Sequence, residues 1–169
     1  DYLGWKDRFA RPEHTARQKG YARAAGQRMI YTPHIVVGGQ DHVAGADEMA
    51  VAETILEHAA EPRAVTIGLE REGERLNLLV VAIDPERLDG RLVVVLVRYT
   101  PSDTVAILRG ENADHTFDYV NIVRSHEVIA RWDGTEPLRL SVPAPGPEPA
   151  AVLVQEAGHG PILGAAVLR

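Results

Sequence analysis

Residues 63–83 read RAVTIGLEREGERLNLLVVAI. Val65, Ile67 and Leu69 alternate with Thr66, Gly68 and Glu70, a period of two that places one set of side chains on each face of a strand. Glu72-Gly73 supplies a turn, and the apolar run from Leu76 to Ile83 makes the returning strand. Upstream of Pro62 the apolar positions recur near 3.6 instead. The change of period predicts a boundary there, with residues 1–62 as one domain and residues 63–169 as a second, β-rich one.

Short apolar segments separated by turn residues continue to the end of the chain. Leu92 to Tyr99 is too uniformly apolar for an edge and reads as a central strand. Further strands are predicted at 105–108, 119–123, 128–132, 138–142, 152–155 and 162–168, and so many short strands imply a sandwich. Residues 143–149, PAPGPEP, hold four prolines and one glycine and read as a stiff surface loop.

Before Pro62 the pattern is helical. Pro12 suits a first helical turn and Gly26 a stop, with Ala16, Gly20 and Ala24 as a small-residue stripe that permits close packing. Ile35 to Val37 and His42 to Ala44 form a hairpin about Gly38-Gly39. A second helix spans about Asp47 to Ala60, with Val51, Ile55, Leu56 and Ala59 as its apolar face and Glu61-Pro62 as its end. The fold class is therefore α+β.

Composition narrows the function. The chain has 169 residues and a net charge of −6, which disfavours a nucleic-acid binder, since phosphate neutralisation needs a clustered excess of Lys and Arg. The basic stretch from Arg8 to Arg28 reads as a solvated helix face. No apolar run approaches the roughly 20 residues of a membrane helix. Zero cysteines exclude disulfides, thiolate metal sites and a Cys nucleophile within these residues. Ser102, Ser125 and Ser141 are the only serines, and none lies in a nucleophile elbow.

Two polar features stand out. Tyr31-Thr32-Pro33 enters the first hairpin strand, where Thr32-Pro33 is either a cis bond or an ordinary trans proline opening a strand. Arg109, Glu111 and Asn112, followed by His115, Asn121 and Arg124, form either a ligand pocket or a structured loop. In the pocket reading the arginines hold carboxylate or phosphate oxygens and the asparagines fix orientation. His34, Asp41 and His42, and separately Glu111, Asp114 and His115, lack an established ligand spacing, so no metal site and no cofactor is predicted. Gly158-His159-Gly160 is a turn, because no helix follows it to receive a phosphate. The partner expected is a protein or a small molecule.

DYLGWKDRF at 1–9, HTARQKGY at 14–21, YTP at 31–33, RGEN at 109–112, NIVR at 121–124, WDG at 132–134 and GPILGA at 160–165 occur in this order. As a set they resemble the bacterial family called domain of unknown function 1223, over nearly the whole chain. The resemblance implies an exported protein, periplasmic or secreted, with a thioredoxin-like domain followed by a β-rich one. It further implies that Tyr31, Thr32 and Pro33 form a cis-proline loop, and that a strand and a Cys-x-x-Cys helix start would precede the DYLGW motif. On that reading these residues are a redox-inactive fragment of a protein whose complete form handles thiols or disulfides. The alternative is a non-catalytic binding module using the Arg109 to Arg124 cluster. The fragment reading also leaves the first helix and the hairpin with an apolar face lacking a partner, and predicts a fraying N-terminal region.

Overall fold

The computed structural model describes residues 7–45, 47–107 and 115–169. Helix α1 spans Pro12–Ala24, strands β1 His34–Val37 and β2 Asp41–Ala44 form a hairpin, and helix α2 spans Glu48–Ala60. Strands β3 Val65–Glu72, β4 Arg75–Ala82, β5 Leu92–Ala106, β6 Thr116–Trp132, β7 Leu138–Pro143, β8 Ala150–Glu156 and β9 Ile162–Leu168 follow. The mixture is α+β and rich in strands.

Three antiparallel sheets result: β1-β2, β3-β4-β7, and β6-β5-β8-β9. The second and third enclose a common core. Leu76, Leu78 and Val80 of β4 meet Leu92, Val94 and Leu96 of β5 and Ala150, Val152 and Val154 of β8. Each fully buried Val or Leu contributes about 1.5–3 kcal/mol, so this cluster dominates the molecule's stability. Where β9 passes β3 the backbones nearly touch, and a Cβ added at Gly164 would stand 2.9 Å from the Val65 carbonyl oxygen.

Some sequence boundaries shift for physical reasons. Residues 92–99 and 105–106, read from sequence as parts of two strands, belong to one, β5, and the strands predicted at 119–123 and 128–132 are one strand, β6; Leu108 lies outside the described residues. The two pair as a long ribbon beyond the end of β8, which meets β5 only from Leu92 to Arg98. Pro101 interrupts the ladder, and Asn121 across from it has φ +51°, a conformation Asn tolerates better than most side chains.

Helix α2 corrects a second expectation. Asp47, the first residue of the helix as read from sequence, is instead its cap, accepting from the Ala50 N–H at 3.0 Å. Its supposed core face is largely in solvent, however, with Ile55 50% and Leu56 70% exposed. Helix α1 does not lack a partner either: Tyr21 is buried and bonds to Gln155 of the four-stranded sheet, and Gly20 is buried against His159. The proline loop is held by arginine, as Arg71 donates to the carbonyls of Ala144, Gly146 and Glu148. Among the described residues, no helix is long and apolar enough to cross a membrane.

Candidate functional site

On β8 the pleat sends Ala150, Val152 and Val154 into the core, so Ala151, Leu153 and Gln155 must face outward. Helix α1 lies over that outer face. At Gly20 it presses close, for an added Cβ would collide with the His159 ring in the β8–β9 turn. Of the stripe Ala16, Gly20 and Ala24, Gly20 is buried at this contact and Ala24 borders a small hollow beside His159 and Gly160, whereas Ala16 is exposed.

A polar clamp fixes the helix. Tyr21 accepts from Gln155 Nε2 at 2.9 Å and from Arg17 at 2.7 Å. Arg17 also donates to Gln155 Oε1 at 3.1 Å, and Gln155 donates to the Gly160 carbonyl at 2.8 Å. The hairpin docks beside it, with Ile162 N–H donating to the Gly38 carbonyl at 2.7 Å. Arg17, read from sequence as part of a solvated face, thus points inward.

Between α1, β1 and the outer sheet face opens a pocket of about 720 Å³. Val36, Val97, Val123 and Leu153 give it an apolar floor, while His14, Arg17 and His126 supply polar wall. The His14 and His126 rings lie 5.8 Å apart between centroids. Among the described residues, the buried His14 Nε2 and His126 Nδ1 have no hydrogen-bond partner. Burial, then the Arg17 guanidinium, then His14 hold His126 below its ordinary value of 6.5, with Glu13 opposing. His159 is lowered by burial and then by Arg17. Most buried polar atoms are paired, so two unpaired nitrogens on neighbouring rings mark a place where a partner would be stabilised.

The positions singled out from sequence are dispersed. Thr32-Pro33 is a cis bond, and the Tyr31 ring lies 4.6 Å from that of His34 at one end of the pocket. His34 and His42 converge, Nε2 to Nδ1 at 2.8 Å, and burial and the His42 ring lower the His34 pKa. Asp41 turns away from them to pair with His58 at 2.7 Å. Among the described residues, no group of three or more potential ligands is arranged to hold a metal.

Arg109, Glu111, Asn112 and Asp114 lie outside the described residues. His115, Asn121 and Arg124 are exposed along the ribbon. His115 and Arg124 are nine residues apart in extended chain, roughly 30 Å, too far to grip one small ligand. WDG is a structural turn: Asp133 accepts from the Thr135 N–H and hydroxyl, which lowers its pKa, and Trp132 donates to the Glu136 carbonyl at 2.7 Å.

His14, His126 and Gln155 were not anticipated. One signal was present in HTARQKGY, where His14, Arg17 and Tyr21 recur at three and four residues and share a helix face. Nothing local in β6 or β8 marks His126 or Gln155, which reach the site through sheet register.

No curated protein matches the chain. It is similar to a structural-genomics crystal structure of a protein from Agrobacterium tumefaciens, at 29% identity and a TM-score of 0.79, covering 99% of this chain and 75% of that one. The family model described as protein of unknown function (DUF1223) matches residues 1–155, a span that ends before the GPILGA stretch, and the chain belongs to that family.

Proposed function

We propose that this chain is a non-catalytic ligand-binding module whose site is the pocket between α1, β1 and the outer face of the four-stranded sheet. The observation that carries this reading is the pocket itself: about 720 Å³, with an apolar floor and a few convergent polar groups. Those are the size and character of a small-molecule site. Its walls come from α1, β1, β5, β6 and β8, so the fold rather than any single loop builds it.

Residues 1–62 are the later part of a thioredoxin-like unit in this reading, supported by the order α1, β1, β2, α2. Residues 63–169 are the β-sandwich unit, supported by the core shared between its two sheets. Export to the periplasm or beyond goes with the family resemblance. Thiol–disulfide exchange requires a thiolate, and the 169 residues contain no cysteine. Such chemistry in a longer form would have to come from other residues, with this chain as the binding body.

Titrating the ¹⁵N-labelled protein with hexanoate, hexan-1-ol and hexylamine tests the site. Saturable shifts centred on Val97, Val123, His126 and Leu153 with at least one probe are expected. Absence of saturable shifts with all three would overturn the reading.

A further inference from the structure

We infer that the polar wall of this pocket recognises a carboxylate, so that the ligand class is a small monocarboxylic acid with an apolar tail; this rests on the binding-module reading. His14 Nε2 and His126 Nδ1 are buried and unpartnered among the described residues, on rings 5.8 Å apart. A neutral imidazole protonated at such a nitrogen is a donor, and two donors from neighbouring rings match the two oxygens of one carboxylate. Arg17 stands beside them and adds positive charge, with part of its donor fork committed to Tyr21 and Gln155 and its position thereby fixed.

The rest of the pocket decides between anions. Arg11 and Arg17 line it, but so does Asp7, and Glu13 acts on His126 from α1. Asp7 accepts from the Phe9 N–H at 2.8 Å and stays with its own turn. Two acidic groups so close oppose a phosphate dianion more strongly than a monoanion. Val36, Val97 and Leu153 then offer the tail an apolar surface that a bare inorganic anion would leave unused.

The test compares hexanoate with hexan-1-ol and hexylamine by calorimetry at pH 7, on the whole chain. Hexanoate is expected to bind about tenfold or more tightly than the alcohol, the size of a charge-assisted hydrogen bond. His126→Phe and His14→Phe keep a ring and remove the nitrogens, and each is expected to weaken hexanoate more than hexan-1-ol and so reduce or abolish that preference. Should His126→Phe fail to fold by circular dichroism, His126→Leu, a smaller substitution without a hydrogen-bond donor, replaces it, with the same loss of preference expected. Equal binding of acid and alcohol, or an unchanged preference in the histidine variants, overturns the carboxylate assignment and leaves the module standing. No binding by any of the three probes removes both.

Discussion

Gln155 of β8 donates to the hydroxyl of Tyr21 on α1 at 2.9 Å, joining positions 134 residues apart, and Gln155 is only 2% exposed. A buried amide in the outer face of a sheet costs stability unless its atoms are paired. Tyr21, Arg17 and the Gly160 carbonyl pair them. Removing one partner therefore exposes a cost beyond the lost bond.

Tyr21→Phe is expected to destabilise the fold by about 1–3 kcal/mol, because it strands a Gln155 donor and frees Arg17. Replacing both partners is expected to cost less than the sum of the parts. Urea unfolding of Tyr21→Phe, Gln155→Met and the double variant measures the coupling, and strict additivity would show that the two residues do not act as a unit.

Gly20→Ala separates propensity from packing. In an exposed helix the change gains about 1 kcal/mol, but here the added Cβ would collide with three atoms of the His159 ring. Overpacking costs about 1–3 kcal/mol, so a net loss is expected. In a His159→Ala background the same substitution should become stabilising, and a gain in both backgrounds would mean that α1 does not press on that turn.

The strands were legible in the sequence because alternation in β3 and apolar continuity in β5 follow directly from which faces are buried. The length of β5 and β6 was not, since Pro101 and the polar residues about it look like a break when the pairing partner is unseen. Helix α2 misled for the converse reason: Ile55 and Leu56 at helical spacing show that a face is apolar, not that anything covers it. The pocket was hidden because His14 and His126 lie on different elements and meet only through the docking of α1 onto the sheet. The visible polar density near residue 109 drew attention to a segment of which only His115, Asn121 and Arg124 are described, spread along one strand.

Hydrogen exchange should follow burial. The core cluster draws entirely on residues from Ala64 onward, with Val80, Val94, Val152 and Val154 at 0% exposure, whereas α2 contains no buried residue. Amides of β4, β5 and β8 are expected to exchange only through global unfolding, and those of residues 12–60 through cheaper local opening. Greater protection in α2 than in β5 would reverse this ordering of stability.

Acid sensitivity is the last expectation. His34, His126 and His159 all have folded pKa values below 6.5, each chiefly because burial disfavours the imidazolium. The neutral rings therefore stabilise the fold fully above pH 6.5, and that contribution is lost as pH falls through their lowered values. Glu156, raised by burial and then by Asp89, acts in the opposite sense: its contribution is complete below its ordinary value of 4.5 and is lost as pH rises through its raised value. Three groups against one predict a urea midpoint that drops between pH 7 and pH 5. For His126 the surrounding charges are Arg17, His14 and His159, which lower it, and Glu13, which raises it. His126→Phe should flatten part of the slope, and in the unsubstituted protein bound hexanoate, by favouring the His126 imidazolium and so raising its folded pKa toward 6.5, should flatten it as well. A midpoint independent of pH over this range would show that the three rings are as well solvated folded as unfolded.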